Sequence, residues 1–507
     1  MIRAHLTHPQ LRSMELLAVV LAGVAIALAY RPFIQQVSGD SAFYHYIAQC
    51  IVRGQVPYRD VVDIKGPGSV YLGAAAMALG KLVGARDICA SRLLDVFFVG
   101  LLGGATYSAA FEYVRSRAAA AIGLLFLLIS PYFMGWMAAG GQPKLPMITF
   151  GMISLLFVAK DMPFLAGLSS MLSCLCWQPG LMFAGAAFLI FTRYLTHWLD
   201  RRVLNLVLGA ALPVAIVLLW FYHIDALRYF WSYAFEYNYS VFGPDANKSL
   251  GDSLSHIGVV VRRVFGRDIL MSALAGAGLV AFAARRVLAR SSLKRFASTP
   301  DLYRDAILMP PLVYGAFCLI NFQSGPDLIP FFPFMGIFLG WFCVEAARLA
   351  AKSALFRQTA ARLRLNVLAP SITVALLLVL CIDRAVINGR PPDGTLADQD
   401  RSVSLISGLL GPNDTIFVHG QVEILALLNR PNLNPYVLLD WKMDDYVAKK
   451  WYGGSFQKVL DEMEAAAPKI VALSRLHTLE HKDEIEQWVS AHYDKIATNS
   501  YNAYLRK

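Results

Sequence analysis

The stretch SGDSAFYHYIAQCIVRGQVPYRDVVDIKGPGSVYLG (38–73) decides how the chain is read. It follows an apolar run at 14–34 that is long enough to cross a bilayer, and it leads into a second apolar run at 67–84. In 41–53, Phe43, Ile47 and Ile51 fall on one helical face with Tyr44 nearby, which predicts an amphipathic helix. Asp40 or Ser41 can cap it by accepting from its first backbone N–H groups. Arg59, Asp60, Asp63 and Lys65 then fall within seven residues, among the turn formers Pro57, Gly66, Pro67 and Gly68. A solvated charged face is the plain reading of such a cluster. At a membrane edge it also suits chemistry between an aqueous acceptor and a lipid-linked phosphate. A carboxylate takes the proton of a hydroxyl, and Lys or Arg stabilises a phosphate leaving group.

Working outward, the 507 residues are 57% hydrophobic and 16% charged, with a mean hydropathy of +0.49. Soluble domains are about 45–50% apolar and about 25% charged. Lipid must therefore cover part of the surface. Twelve apolar runs appear, near 14–34, 67–84, 88–112, 118–138, 144–159, 163–176, 179–195, 204–222, 269–284, 306–322, 328–346 and 366–382.

Charge fixes their direction. The basic loops contain Arg115 and Arg117; Arg193, Arg201 and Arg202; Arg285, Arg286, Arg290, Lys294, Arg295 and Arg304; and Arg348, Lys352, Arg357, Arg362 and Arg364. With the N-terminus inside and twelve spans, all these loops fall outside, against the positive-inside rule. Reading 67–84 as an interfacial helix returns every one of them to the cytoplasm. It starts at Gly66-Pro67-Gly68, contains Lys81 and is barely long enough to span. About eleven spans remain, with the N-terminus cytoplasmic. The outer segments are then 35–87, 139–143, 223–268, 323–327 and 383–507.

The net charge of +11 thus records orientation and gives no support to nucleic-acid binding. The tail contributes none of it, with 14 Lys/Arg against 16 Asp/Glu in 384–507. Seven cysteines, mostly in apolar runs, argue against a disulfide framework. The chain divides into a transmembrane domain, 1–383, and a small extracytoplasmic α/β domain, 384–507. In the latter we expect strands at 414–420, 435–440 and 469–474, helices at 422–429, 454–466 and 478–492, and a closing hairpin. Gly420 follows the first strand, but no Gly-rich nucleotide fingerprint accompanies it.

An acid just after the first span, followed by GQVPYRDVVDIKGP (54–67), resembles the GT-C membrane glycosyltransferases. The branch it resembles includes the protein O-mannosyltransferase-like, lipid A aminoarabinose transferase-like and rhizobial galacturonosyltransferase-like enzymes. SRLLDVFFVGLLGGATYSAAFEYVRSR (91–117) and PDLIPFFPFMGIFLG (326–340) extend the resemblance over most of the chain. It implies a polytopic helical fold with interfacial helices in the first outer loop, in a bacterial cytoplasmic (inner) membrane. It implies transfer of a sugar, usually with inversion, from a polyprenyl-phosphate donor to a glycan, lipid or protein acceptor on the outer face. It implies Asp40 as general base and Lys65 at the donor phosphate. Arg59, Asp60, Asp63, Tyr44, Tyr58, Gln142 and Lys144 are further substrate-binding candidates.

Three positions depart from the family pattern. Ser41 stands where many members have a second acid. The second outer loop, AGGQPKLPM (139–147), has Gln142 and Lys144 in place of an acid. CWQPG (176–180) lacks the usual lysine. A divalent cation needs several oxygen ligands, so that loop gives no support for one; a divalent cation is left open, and no metal or other cofactor is assigned. Lys144 either replaces a cation electrostatically or snorkels to the interface. Tyr222, Tyr229, Trp231, Tyr233, Tyr237 and Tyr239 read as an interfacial belt or as sugar-stacking rings, with Glu236 and Asn238 as polar contacts.

Two other classes compete. A transporter or lipid flippase needs charged residues inside its spans, and Asp95 and Glu345 are the candidates. A catalytically inactive scaffold would recruit partners through its tail. The topology puts Cys50 outside, where a membrane-impermeant thiol reagent is expected to reach it in intact cells.

Overall fold

A computed structural model of the protein describes residues 8–37, 39–192, 200–242, 249–266, 268–292, 299–350, 352, 365–389, 394–496 and 501–507. Arg193, Lys294, Arg295, Arg357, Arg362 and Arg364 of the expected basic loops lie outside these residues.

The chain is a polytopic helical membrane protein with a small C-terminal sheet domain. Its first helices are α1 (His8–Ala29), α2 (Gly39–Val52), α3 (Gly68–Leu82), α4 (Asp87–Val114), α5 (Arg117–Ile129) and α6 (Pro131–Ala139). Then come α7 (Lys144–Ala159), α8 (Pro163–Cys176), α9 (Leu181–Thr192) and α10 (Arg201–His223). The segment that follows holds α11 (Leu227–Trp231), a π-helical turn (Ser232–Tyr237) and α12 (Asn238–Phe242). The membrane part closes with α13 (Leu250–Phe265), α14 (Ile269–Ser292), α15 (Met309–Ile320), α16 (Phe332–Ala350) and α17 (Leu365–Asn388).

Among the described residues, five segments are long and apolar enough to cross a membrane: Arg12–Ile34, Asp87–Val114, Arg201–His223, Ile269–Leu288 and Gly325–Ala350. The bent pair α5–α6 makes a sixth, and α7, α8 and Gln178–Thr192 are shorter apolar helices. The expected straight span at 118–138 is in fact broken by 61°. Pro131 removes a backbone donor and clashes with the preceding turn. Ser130 Oγ then accepts from Phe133 N–H at 3.3 Å and restarts the helix. The run at 67–84 forms α3, which is not among the crossing helices. Leu79, Leu82 and Val83 stand exposed at its end as an apolar edge.

Small residues set the closest helix crossings. A Cβ at Gly336 would lie 2.4 Å from Gly123 O, and one at Gly340 would lie 2.2 Å from Ala119 O. The four-residue spacing on both α5 and α16 lets their backbones touch. On α8 and α10, Gly167 and Gly209 face the partner helix's carbonyl oxygens at 2.1 and 2.0 Å in the same sense.

Helix α2 differs from expectation. Every residue from Ser41 to Cys50 is buried, polar Tyr44, His45 and Gln49 included. The predicted wet face is covered by the tail. Gln49 Nε2 donates to Ala426 O at 3.0 Å, and Asn432 N–H donates to Tyr46 Oη at 2.6 Å. Ala42, Phe43, Tyr46 and Ile47 share one core with Ile416, Val418, Ile424 and Leu425 of the tail. Cys50, 0% exposed, is therefore no reporter of sidedness.

The tail contains α18 (Leu396–Gly408), β1 (Ile416–His419), α19 (Glu423–Leu428), α20 (Met443–Trp451) and α21 (Gln457–Ala466). It ends with β2 (Ile470–Leu473), α22 (Lys482–His492), β3 (Tyr493–Lys495) and β4 (Ala503–Arg506). The sheet order is β1-β2-β4-β3, with β1 and β2 parallel and the rest antiparallel. The expected strand at 435–440 is irregular. His419 Nδ1 accepts from Leu439 N–H, so a side chain replaces part of the ladder there. Helix α17 runs through the expected domain boundary at 383/384.

The α5–α16 contact yields a stability prediction. Gly340→Leu should lower the thermal unfolding temperature in detergent, at an overpacking cost of about 1–3 kcal/mol. Gly315→Ala, with nothing within 4 Å of its added Cβ, should leave it unchanged.

Candidate active site

A cavity of about 1070 Å³ lies where the first outer loop, the membrane helices and the tail meet. Asp40, in the first turn of α2, is exposed toward it. The helix starts at Gly39, so the positive end of the helix dipole favours a carboxylate at this position. The capping residue, 38, lies outside the described residues.

Lys65 lines the same cavity and is fixed by its own backbone. Asp63 Oδ1 accepts from Lys65 N–H at 3.0 Å, and Tyr58 Oη donates to Lys65 O at 2.6 Å. One residue earlier, Ile64 O accepts from Gln178 Nε2 at 2.9 Å and from Asn238 Nδ2 at 2.6 Å. Gly66 presses against α8, where any Cβ would lie 2.1 Å from Leu175 O. Tyr58 has φ 70°, in a region that non-glycine residues rarely adopt, and is held there by Val61 O and by Phe221 and Phe230.

The Lys65 ammonium lies 4.9 Å from the Tyr44 ring centre and 5.7 Å from that of Trp177. Among the described residues no carboxylate lies within ion-pair distance of it. Burial lowers its pKa and Lys144 adds to that effect, while Asp40, Asp63 and Asp327 oppose it.

Lys144 neither snorkels nor stands alone. It is buried, pairs with Asp327 Oδ1 at 2.9 Å and lies 4.6 Å from the Trp177 ring centre. The Trp177 ring thus lies against both lysines, of which Lys144 is paired with Asp327. Gln142, 4% exposed, also lines the cavity.

Four sequence candidates stand behind the wall. Asp63 and Tyr58 are 0% exposed and order the loop. Arg59 pairs with Asp60 at 2.8 Å and reaches Ile224 O, and Asp60 also accepts from Val56 N–H. None of the four lines the cavity.

The aromatic segment divides in a similar way. Tyr222, Trp231 and Tyr239 are exposed, as a belt requires. Tyr233 and Tyr237 are buried against Tyr446 of the tail. Glu236 pairs with Lys450, also of the tail, so of the two expected polar contacts only Asn238 lines the cavity.

Sequence reasoning missed Asp327, which carried no signal beyond its place before a span. It also missed Asp440, Trp441 and Arg475, which reach the cavity from the tail. Asp95, the leading charge for a transport path, accepts from Gly141 N–H at 2.6 Å and so pins the second outer loop. Glu345 pairs with Arg285 and Arg348 at the end of α16. Both charges have structural work, which removes the motive for a transporter.

Among the described residues no three His, Cys, Asp or Glu side chains converge. With two lysines at the cavity wall, the groups present suit an anion better than a divalent cation.

Burial pushes the Asp63 carboxyl up to about 6 from an ordinary 3.8. The folded state therefore holds this proton more tightly than the unfolded chain does. Stability should fall as pH rises between 3.8 and about 6 through this group. Asp63→Asn keeps an oxygen for Lys65 N–H and should flatten that slope in unfolding temperatures measured across the window.

Neither a family model nor a curated protein matches the sequence. Solved structures match in fold. ArnT from Cupriavidus metallidurans bound to undecaprenyl phosphate has a TM-score of 0.65 at 14% identity, over 97% of each chain. Its apo form gives 0.60 at 13%, over 98% of each. The oligosaccharyltransferase of Archaeoglobus fulgidus, in complex with Zn and sulfate, gives 0.54 at 13%, over 96% of this chain and 73% of that one. Over nearly the whole chain this protein has the polytopic helical membrane fold of these GT-C structures.

Proposed function

We propose that the protein is a membrane glycosyltransferase. It would move a sugar from a polyprenyl-phosphate carrier to an acceptor on the outer face of a bacterial cytoplasmic membrane. The observation that carries this reading is the setting of Lys65. Among the described residues, a cation with no carboxylate at ion-pair distance lines a cavity that has both polar and apolar walls. Leu181, Met182, Leu189, Met309, Val313 and Phe317 form the apolar walls, on α9 and α15. A phosphate joined to a long hydrocarbon chain fits both kinds of wall at once. The undecaprenyl phosphate on ArnT supports the same class of ligand.

Asp40 is the proposed base. The cavity's other carboxylates, Asp327 and Asp440, are held in ion pairs with Lys144 and Arg475. One available carboxylate suits a single displacement: the acceptor hydroxyl gives its proton to Asp40, its oxygen attacks the anomeric carbon, and the phosphate leaves toward Lys65. Such a step inverts the anomeric centre. In this reading the tail is extracytoplasmic and the N-terminus cytoplasmic, as the basic loops require.

Asp40→Asn should abolish transfer from an undecaprenyl-phosphate sugar while leaving the protein folded. Lys65→Ala should weaken binding of undecaprenyl phosphate by about tenfold or more, the scale of one charge-assisted contact. Full transfer by the Asp40 variant would overturn the base assignment. Unchanged binding by the Lys65 variant would overturn the phosphate site.

A further inference from the structure

The cavity has a third wall, supplied by the tail. Asp440, Trp441 and Arg475 line it, in the same cavity as Lys65. Asp440 is 7% exposed. Its Oδ2 accepts from Arg475 Nη1 at 3.2 Å and its Oδ1 from Thr478 Oγ1 at 3.1 Å. The buried His419 brings Nε2 to 3.6 Å from Asp440 Oδ1. Its Nδ1 is already committed to Leu439 N–H, so the ring's proton lies on the side of Asp440.

Beside this pair, Trp441 is 54% exposed, an unusual state for an indole inside a domain junction. Its backbone is held in place. Trp441 and Lys442 have φ of 59° and 62°, and Arg475 has 58°, all outside the ordinary region for residues with a Cβ. Tyr237 Oη, at the end of the π-helical turn, donates to Trp441 O at 2.9 Å and ties the wall to the membrane domain. Such strained, over-determined backbone clusters at ligand sites, and π-turns do the same.

We propose that this wall is the recognition site for the sugar ring of the lipid-linked donor. The Trp441 indole gives a flat apolar face for the ring's C–H surface. Asp440 accepts and Arg475 donates hydrogen bonds to its hydroxyls. Because the pair is neutral overall, it selects hydroxyl geometry and leaves charge to Lys65. This proposal rests on the carrier reading above, since the phosphate at Lys65 brings the ring into the chamber. The tail is then a specificity element, and a change at three positions re-addresses the enzyme to another sugar.

The test measures dissociation constants of the purified full chain in detergent. The probes are undecaprenyl phosphate alone and undecaprenyl phosphates bearing hexoses, pentoses or hexuronic acids. The wild type should bind one sugar-bearing lipid more tightly than the bare carrier. Trp441→Ala should erase that preference, by about tenfold, the equivalent of about 1.4 kcal/mol, and leave bare-carrier binding within twofold. Trp441→Phe should restore part of it, and Arg475→Gln should alter the ranking among sugars. The side chain of Trp441 is largely exposed, so its removal opens no core. Equal preferences in wild type and Trp441→Ala would overturn the sugar wall while the carrier reading stands. A wild type that binds no undecaprenyl phosphate would overturn both.

Discussion

The carbonyl oxygen of Ile64 accepts two side-chain amides, from Gln178 at the end of α8 and from Asn238 at the start of α12. These residues are far apart in sequence, and the loop between Pro57 and Gly68 has little regular structure of its own. Without those donors the part-buried carbonyl would lose both side-chain partners, and the cost of an unsatisfied polar group rises with its burial, to about 1–3 kcal/mol when fully buried. Satisfying it locks the peptide that precedes Lys65. Asp63 holds the N–H of that same peptide, and Tyr58 locks the peptide on the other side of Lys65. The backbone at Lys65 is therefore set by hydrogen bonds, and its ammonium lies against the Tyr44 and Trp177 rings with no acidic partner at ion-pair distance among the described residues. That leaves its charge available to a ligand, which a conventional salt bridge would not.

Some of this was legible in the sequence. Apolar runs and basic loops gave the helical membrane architecture, because lipid and the positive-inside rule act on composition directly. The same bookkeeping separated the α3 segment from the crossing helices. Asp40 and Lys65 stood out because they lie in one short segment with turn residues around them. The roles of Arg59, Asp60, Asp63 and Tyr58 were not legible: a charge pattern cannot say whether a side chain faces a cavity or braces the loop behind it. Asp60 and Arg59 satisfy each other, and Asp63 points inward to a backbone N–H.

The larger gap concerns long-range contacts. Helix α2 has an amphipathic pattern, yet the tail covers its polar side, so Gln49 and Tyr46 find partners nearly four hundred residues away. Asp327 meets Lys144 across 183 positions. Arg475 follows β2 directly and meets Asp440, the neighbour of Trp441, across 35 positions. Local propensity is silent on such meetings. The irregular 435–440 segment was misread for a related reason, since its alternation matches a strand while His419 occupies the hydrogen-bonding position a neighbour would use.

The shared core of α2 and the tail also has a bearing on how the chain is inherited. A domain joined to its neighbour through a linker can be lost, duplicated or exchanged with little harm. Here the helix that begins with Asp40 is wrapped by Ile416, Val418, Ile424 and Leu425. Any replacement tail would have to rebuild that surface as well as its own sheet. The two halves are therefore bound to change together, residue against residue, and the tail cannot be traded as a module.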